Sequence, residues 1–197
     1  MEKQFYTLPK ERNAILVYQE ILALSPNNSD ATQGIDLISD KLLDIGKRAL
    51  GNNKLATANR TLQKLIDIDG ESSQTILLTS EISIWHETKK QRDLIKQATD
   101  AFAQQNYIAP ATKNALYYYE QALQLNRSDK AAIAGIEKSK RVYLQRAEAA
   151  LAQGDYSDAS TNVEILIEID PQYAPIFDLQ NSISQAKQIN DQIKNEN

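Results

Sequence analysis

The chain has 197 residues, a formal net charge of −4 and no cysteine. Without cysteine it forms no disulfide or thiolate site, and its pI of about 5.1 argues against general nucleic-acid binding, which needs Lys and Arg to neutralise phosphates. No apolar run approaches the 18 or so residues of a membrane helix, and none has the pattern of a signal peptide, so we expect no direct membrane insertion. The compartment stays open between the cytoplasm and, if an upstream signal or anchor exists, the periplasm.

The first part of the chain predicts three helices, because apolar residues recur at helical spacing between breaks at Pro, Gly, Asn and Ser. A short apolar helix, AILVYQEILAL, follows Pro9. A helix of about 24 residues, roughly 36 Å long, comes next, with Ser29 as its expected N-cap and a turn at Gly51 to Asn53. A shorter helix then carries the apolar stripe Leu55, Ala58, Leu62 and Leu65.

The segment from Glu71 to Gln105 contains no Pro and no Gly. It predicts either one very long helix or two helices with a break near Glu87 to Lys90, and both alternatives stay open.

The second part of the chain repeats the first at an offset of 101 residues, without a gap. The second long helix is expected to have Ser128 as its N-cap and to close at Gly154. A repeat of this length predicts two duplicated units, residues 1–90 and 91–190, followed by a polar tail, residues 191–197. The shared positions are mostly small residues, apolar residues and turn formers: Tyr6/Tyr107, Pro9/Pro110, Asn13/Asn114, Ala14/Ala115, Tyr18/Tyr119, Leu22/Leu123, Ala31/Ala132, Gly34/Gly135, Ala49/Ala150, Ala58/Ala159, Leu65/Leu166 and Asp69/Asp170.

A motif lies in the segment Lys140 to Tyr173 of the second part. Its residues are Tyr143, Ala147 and Ala150 on a first helix, GDY at Gly154 to Tyr156, Ala159 on a second helix, and IDP at Ile169 to Pro171. At its spacing of 34 residues the segment resembles a tetratricopeptide repeat. The first copy, 39–72, is degenerate: Gly46 occupies the small-residue position, NKL replaces GDY, and Gly70 replaces the proline.

The resemblance implies an all-α, right-handed α-solenoid of about eight antiparallel helices in two duplicated units. Proteins of this kind bind other proteins through a concave groove, and loosely similar repeat regions are attached to bacterial envelope proteins and signalling kinases. By the repeat, the segment Arg92 to Gln105 should have a counterpart before Phe5. We therefore expect that the first unit lacks its leading helix and that Met1 begins a fragment of a larger bacterial protein.

Catalytic and metal-binding residues are not predicted. His86 is the only histidine, next to the only tryptophan, Trp85, and no Asp, Glu or Cys accompanies it at a recurring metal-ligand spacing. We expect no enzyme activity and no cofactor. Gly34 and Gly135 stand alone in AxxGI sequences, where a close helix crossing explains a glycine that costs about 1 kcal/mol relative to alanine.

The two long helices differ in charge. The first carries an acidic row of Asp36, Asp40 and Asp44, where the second has Glu137, Arg141 and Gln145 with Lys138, Lys140 and Arg146 close by, which predicts a basic row. In the register that the resemblance implies, the groove contains Asp40/Arg141, Leu43/Leu144 and Lys47/Glu148. The alternative to a binding groove is that both helix faces are solvated and that their sequences have merely diverged. Leu144 and Glu148 occupy positions where a carboxylate clamp needs Lys and Asn, so recognition of an acidic C-terminal tail is not supported.

Four consecutive apolar or aromatic residues, Leu116 to Tyr119, match Ile15 to Tyr18. Tyr18 and Tyr119 fit core positions, which leaves Tyr117 and Tyr118 for a neighbouring helix, a partner or a second copy. Burial inside the fold is the preferred interpretation.

These observations predict a non-enzymatic scaffold that binds a protein or peptide partner through its groove. The alternative is a structural spacer or sensor module of a larger envelope or signalling protein, and self-association stays open. The candidate partner surface consists of Asp36, Asp40, Leu43, Lys47, Tyr117, Tyr118, Arg141, Leu144 and Glu148.

Overall fold

The computed structural model describes Thr7 and residues 13–196, with the backbone alone for residue 196. These residues form eight helices: α1 (Ala14–Leu24), α2 (Ser29–Gly51), α3 (Leu55–Ile68), α4 (Ser73–Ala103), α5 (Ala115–Leu125), α6 (Lys130–Ala152), α7 (Tyr156–Ile169) and α8 (Pro175–Glu196). Within the described ranges there is no strand, and the all-α prediction is confirmed. Pro9, which was predicted to precede the first helix, and the leading helix expected before Phe5 lie outside the described residues.

One continuous helix, α4, spans the segment for which two alternatives were open. It has 31 residues and passes through Glu87 to Lys90 without a break. The chain divides into two compact units inside this helix, since one unit ends at Lys89 and the other begins at Lys90. The predicted polar tail continues α8, which reaches Glu196.

Three helices of the first unit have counterparts of equal length in the second. Helices α1 and α5 have 11 residues each, α2 and α6 have 23, and α3 and α7 have 14. Each pair begins and ends at positions 101 residues apart. The predicted length of about 24 residues for the long helices therefore holds within one residue.

The predicted N-caps of the two long helices are wrong by one residue. The Oδ1 atom of Asn28 accepts a hydrogen bond from the N–H of Ala31 at 2.9 Å, and the Oδ1 atom of Asp129 accepts one from the N–H of Ala132 at 2.8 Å. Each cap lies next to the expected serine, and Asn and Asp cap a helix at least as well as Ser. The two caps are again 101 residues apart.

The turns that close the long helices keep one backbone conformation although their sequences differ. Asn53 has φ 55° and its counterpart Gly154 has φ 75°. This left-handed conformation is the one that commonly ends a helix, and Asn tolerates it better than other residues with a side chain. The replacement of GDY by NKL in the first unit therefore leaves the turn intact.

The first unit packs α1, α2, α3 and the first part of α4 around one apolar cluster. Its buried members are Ile15, Ile38, Leu42, Ala49, Leu50, Ala58, Leu65, Leu78 and Ile82. Gly46 permits the contact between α2 and α4, because a Cβ at this position would lie 2.6 Å from Cδ2 of Leu78.

The second unit contains two clusters. One joins α6, α7 and α8 through Tyr143, Ala147, Ala150, Ala159, Val163, Leu166, Ile176, Leu179 and Ile183. The other joins the second part of α4 to α5 and α6 through Ala98, Ala101, Ala115, Tyr119, Ala122 and Ala132. Apolar residues at helical spacing thus supply the core of both units.

Candidate functional site

An open cleft of about 690 Å³ lies between α6 and α8 in the second unit. We call it the α6/α8 groove. Leu144 and Glu148, two of the predicted groove residues, line it. The complete lining is Leu144, Glu148, Leu151, Ala152, Ala174, Pro175, Asp178, Leu179 and Ser182.

The groove combines an apolar floor with negative charge. Leu144, Leu151 and Leu179 supply apolar surface, and Glu148 and Asp178 are its charged residues. Asp178 lies in the first turn of α8, where the helix dipole favours a carboxylate. Pro175 begins α8, a position at which its fixed φ suits the helix and its missing N–H has no intrahelical acceptor.

Arg141 adds a positive charge on the same face of α6, although it does not line the cleft. It precedes Leu144 by three residues and Glu148 by seven, a spacing that places all three on one side of a helix. Its side chain is exposed. The face bordering the groove is therefore positive towards the start of α6 and negative towards its end.

The equivalent surface of the first unit is bridged by two polar contacts between α2 and α4. The Nε2 atom of Gln74 donates a hydrogen bond to Oδ1 of Asp40 at 2.7 Å. The Nζ atom of Lys47 lies 3.2 Å from Oε1 of Glu81. Two of the candidate partner residues, Asp40 and Lys47, thus have bonding partners on α4 of the same unit.

Neither bridge can form in the second unit. Pro175 stands at the position equivalent to Gln74 in the 101-residue register, and a proline side chain has no hydrogen-bond donor. Ser182 stands where the first unit has Glu81, and its hydroxyl donates to the carbonyl oxygen of Asp178 at 2.8 Å. The α6/α8 groove is open because α8 replaces two bridging side chains with residues that do not reach across.

The acidic row of α2 is only partly available to a partner. Asp36 is exposed, Asp40 accepts the bond from Gln74, and Asp44 pairs with Arg48 of the same helix at 2.6 Å. Leu43 is half-buried and packs against the core of the first unit. All three carboxylates are exposed, and Asp40 and Asp44 have a bonding partner within the first unit.

Of the cations of the predicted basic row on α6, Lys140 is buried, whereas Lys138, Arg141 and Arg146 are exposed. Lys140 is only 5 % exposed. The ammonium of Lys138 lies 4.7 Å from the ring centroid of Phe102, and the guanidinium of Arg146 lies 5.3 Å from those of Tyr107 and Tyr143. Contacts of this kind between a cation and an aromatic face favour the position of the side chain even where it is exposed.

Lys140 ties the middle of α6 to the end of α7. Its Nζ atom donates to Oδ2 of Asp170 at 2.9 Å, pairs with Glu137, and lies 4.6 Å from the ring centroid of Tyr173. Burial alone would lower the pKa of Lys140, but the hydrogen bonds to Glu137 and Asp170 raise it above its ordinary value. The same bond from Lys140, with one from the N–H of Gln172, lowers the pKa of Asp170.

The tyrosines of α5 divide between core and surface. Tyr119 is buried, and Tyr118 is half-buried and packs against the cluster shared with α4. Tyr117 is half-buried and meets Tyr118 edge to face, with ring centroids 5.4 Å apart. Tyr118 therefore contributes to the fold, and Tyr117 contacts Tyr118.

His86 is exposed on α4, with its ring centroid 5.3 Å from that of Trp85. Among the residues that the structure describes, no group of three or more His, Asp or Glu side chains could hold a metal ion. Over the same residues, every buried side-chain nitrogen and oxygen has a hydrogen-bond partner. None of the described helices is long and apolar enough to cross a membrane.

The α8 side of the groove was missed by sequence reasoning. Pro175, Asp178 and Leu179 line it, but only residues of the long helices were predicted. One signal in the sequence pointed to it: the second unit has Ser182 where the first has Glu81, the ion-pair partner of Lys47.

No protein-family description, curated protein or solved structure matches the chain.

Proposed function

We propose that the chain is a non-enzymatic protein-interaction scaffold, a tetratricopeptide-like solenoid of two duplicated units whose α6/α8 groove holds a segment of another protein. The alternation of long and short helices, with three pairs of matching bounds 101 residues apart, supports the duplicated solenoid. The function rests on the groove.

The observation that carries the proposal is the difference between the two units at one equivalent surface. In the first unit, side chains of α2 and α4 bond to each other across it. In the second, the cleft is open, with an apolar floor and two carboxylates. A surface that keeps apolar side chains accessible and does not satisfy its charges internally is suited to a partner.

The chemistry of the groove defines the partner segment. Apolar side chains would pack on Leu144, Leu151 and Leu179, and a Lys or Arg would pair with Glu148 or Asp178. Arg141 favours an acidic residue at the end of the ligand that lies nearer the start of α6. The preferred ligand is thus a short apolar segment whose basic residue lies towards the end of α6.

The test uses the full chain and three synthetic eight-residue peptides that share a central leucine pair. Their flanking residues are two Arg, two Ser or two Glu. We expect the Arg peptide to bind best in fluorescence anisotropy, and we expect Glu148→Gln combined with Asp178→Gln to weaken it about tenfold, because two ion pairs with the ligand are lost.

Glu168→Gln is the matched control, since this exposed carboxylate lies on α7 outside the groove. Binding of the Arg peptide should survive it. Equal binding of the three peptides, or equal loss in the control and groove variants, would show non-specific attraction to an acidic protein and contradict the proposal.

A structural spacer is the second candidate. The observation that favours it is the continuity of α4, a helix of 31 residues and about 46 Å that belongs to both units. A spacer would bind none of the peptides, and its amide hydrogen exchange would be unchanged by them. Protection confined to α6 and α8 on adding the Arg peptide supports the scaffold instead.

A further inference from the structure

A row of three aromatic rings joins α6 to the end of α4 in the second unit. The rings of Phe102, Tyr107 and Tyr143 meet edge to face, with centroids 4.9 Å apart for the first two and 6.1 Å apart for the last two. Tyr143 is buried, whereas Phe102 and Tyr107 are half-buried and keep part of their surface accessible. Both half-buried rings pack against the core clusters of the second unit, which fixes their position.

Two cations of α6, Lys138 and Arg146, rest on this aromatic row. Lys138 lies over the ring of Phe102, and Arg146 lies over those of Tyr107 and Tyr143. Both cations are nevertheless exposed. A side chain that a ring already holds in place loses less conformational freedom when it binds a ligand. The two charges are therefore accessible to a partner and already positioned.

Neither cation is neutralised within the part of the chain that the structure describes. The ion pairs of this part join other residues, and none includes Lys138 or Arg146. Glu137, the acidic neighbour of Lys138, pairs with Lys140 instead. In the 101-residue register the first unit has a leucine and an isoleucine at the positions of the two cations. The second unit alone thus presents this positive surface, which is suited to an acidic partner.

We propose that Phe102, Tyr107, Lys138 and Arg146 form a docking site for an acidic segment of a partner protein, and we call these four residues the aromatic-basic patch. The segment is extended and carries two carboxylates separated by three residues, with an apolar residue midway. None of the four residues lines the α6/α8 groove, so the site goes beyond the proposed groove function and does not depend on it.

The spacing of the two cations defines the segment. Lys138 and Arg146 belong to one continuous helix, and the eight residues from one to the other rise by about 12 Å along it. Side chains on one side of an extended segment recur at every second residue, and four residues span about 13 Å. Acidic residues at i and i+4 can thus each meet one cation. The apolar residue at i+2 then meets the rings of Phe102 and Tyr107, which connect the cations.

The same spacing favours carboxylates over phosphate groups. A phosphate group is bound best where several donors converge on it, and two cations that are about 12 Å apart along a helix do not converge. A nucleic acid gains its affinity from many Lys and Arg contacts to phosphates, whereas the aromatic-basic patch offers two. An acidic polypeptide is therefore the ligand that fits the patch.

The test uses the full chain and a labelled synthetic peptide of seven residues, with Glu at its second and sixth positions, Leu at its fourth, and Ser or Gly elsewhere. We expect saturable binding in fluorescence anisotropy at low salt, with NMR shifts of the ring protons of Phe102 and Tyr107. Lys138→Gln combined with Arg146→Gln should weaken binding about tenfold, because two ion pairs with the ligand are lost.

Lys130→Gln combined with Lys194→Gln is the matched control, since it removes the same charge from exposed positions of α6 and α8 outside the patch. This variant should bind the peptide as the unchanged chain does. A second peptide with its two Glu residues adjacent keeps the charge and loses the spacing, so it should bind at least about fivefold more weakly.

Three results would overturn the proposal. They are an absence of saturable binding, equal binding of the two acidic peptides, and equal loss of binding in the patch and control variants. A single-stranded oligonucleotide tests the other class of ligand. If it binds more tightly than the spaced peptide and loses affinity with Lys138→Gln and Arg146→Gln, the patch belongs to a nucleic acid and the proposal is wrong.

Discussion

The interiors of the two units are alike, whereas their surfaces differ. Helix bounds, N-caps and the left-handed turn agree at an offset of 101 residues. The surface between the long helix and the helix after the short one is bridged in the first unit and open in the second. The comparison teaches that packing between helices fixes the interior, because truncating a large buried side chain there costs about 2–5 kcal/mol, whereas an exposed bridge is worth well under about 1 kcal/mol.

The largest expected effect tests whether the interiors are equivalent. Leu65 and Leu166 are 0 % exposed at matching positions of α3 and α7. We expect Leu65→Ala and Leu166→Ala each to lower the free energy of unfolding by about 3 kcal/mol, through lost apolar contact and the cavity left behind. Urea denaturation followed by far-UV circular dichroism measures the loss.

The single tryptophan allows the unfolding of the first unit to be followed by itself in this experiment. Trp85 packs against the core of the first unit, so its fluorescence reports the unfolding of that unit. Ile66→Ala, at an exposed position next to Leu65, is the control and should cost less than about 1 kcal/mol. A loss for Leu65→Ala far below that for Leu166→Ala would break the equivalence of the two cores.

Apolar periodicity was sufficient to predict most of the helices. The helical spacing of apolar residues between turn formers predicted the length of α2, because the buried face of a helix must recur every three or four residues. The N-caps were displaced by one residue, since Asn28 lies beside Ser29 and Asp129 beside Ser128, and pattern alone does not choose between adjacent capping residues. The open alternative at α4 had the same origin, because an exposed polar stretch favours neither continuation nor a break.

The basic row on α6 shows why charged surfaces were harder to predict. Lys138, Lys140 and Arg146 have long apolar stems, and each finds an aromatic ring within the second unit. The sequence shows their charge but not the rings, which come from α4, from the segment before α5 and from the segment after α7. The α6 side of the groove was predicted, through Leu144 and Glu148. Its α8 side was not, because the position of α8 depends on tertiary packing.

The next effect tests a contact that only the second unit has. Asp69 and Asp170 end α3 and α7, and each accepts a backbone hydrogen bond on Oδ1 at 3.0 Å, but only Asp170 also accepts one from a lysine. Asn keeps the Oδ1 acceptor and removes the charge. We expect Asp170→Asn to cost about 1.5 kcal/mol at pH 7 and Asp69→Asn less than about 0.5 kcal/mol, by urea denaturation.

The pH dependence of this difference has a definite sign. The pKa of Asp170 is lower in the folded chain than in the unfolded chain, so its contribution is present above about pH 4 and is lost as the pH falls through the lowered pKa. The pKa of Lys140 is raised, so its contribution is full below about pH 10 and is lost as the pH rises through the raised pKa. The cost of Asp170→Asn should therefore shrink below pH 4; a constant cost down to pH 2 would show that the charge is not its cause.

The smallest effect concerns the two glycines under the tyrosine rings. Gly→Ala in a helix gains about 1 kcal/mol from propensity, and forcing an atom into a packed contact costs about 2 kcal/mol. Tyr119 is buried beneath α4 and cannot move away, so Gly135→Ala should lower the free energy of unfolding by about 1 kcal/mol. Tyr18 is only half-buried, so its ring is less confined than that of Tyr119. Gly34→Ala should therefore change the free energy of unfolding by less than about 0.5 kcal/mol.

Gly51→Ala provides the control for propensity, because a Cβ at this end of α2 would have no neighbour within 4 Å. Equal costs for Gly34→Ala and Gly135→Ala would show that the tyrosines are equally confined and that the exposure of α1 has no mechanical consequence.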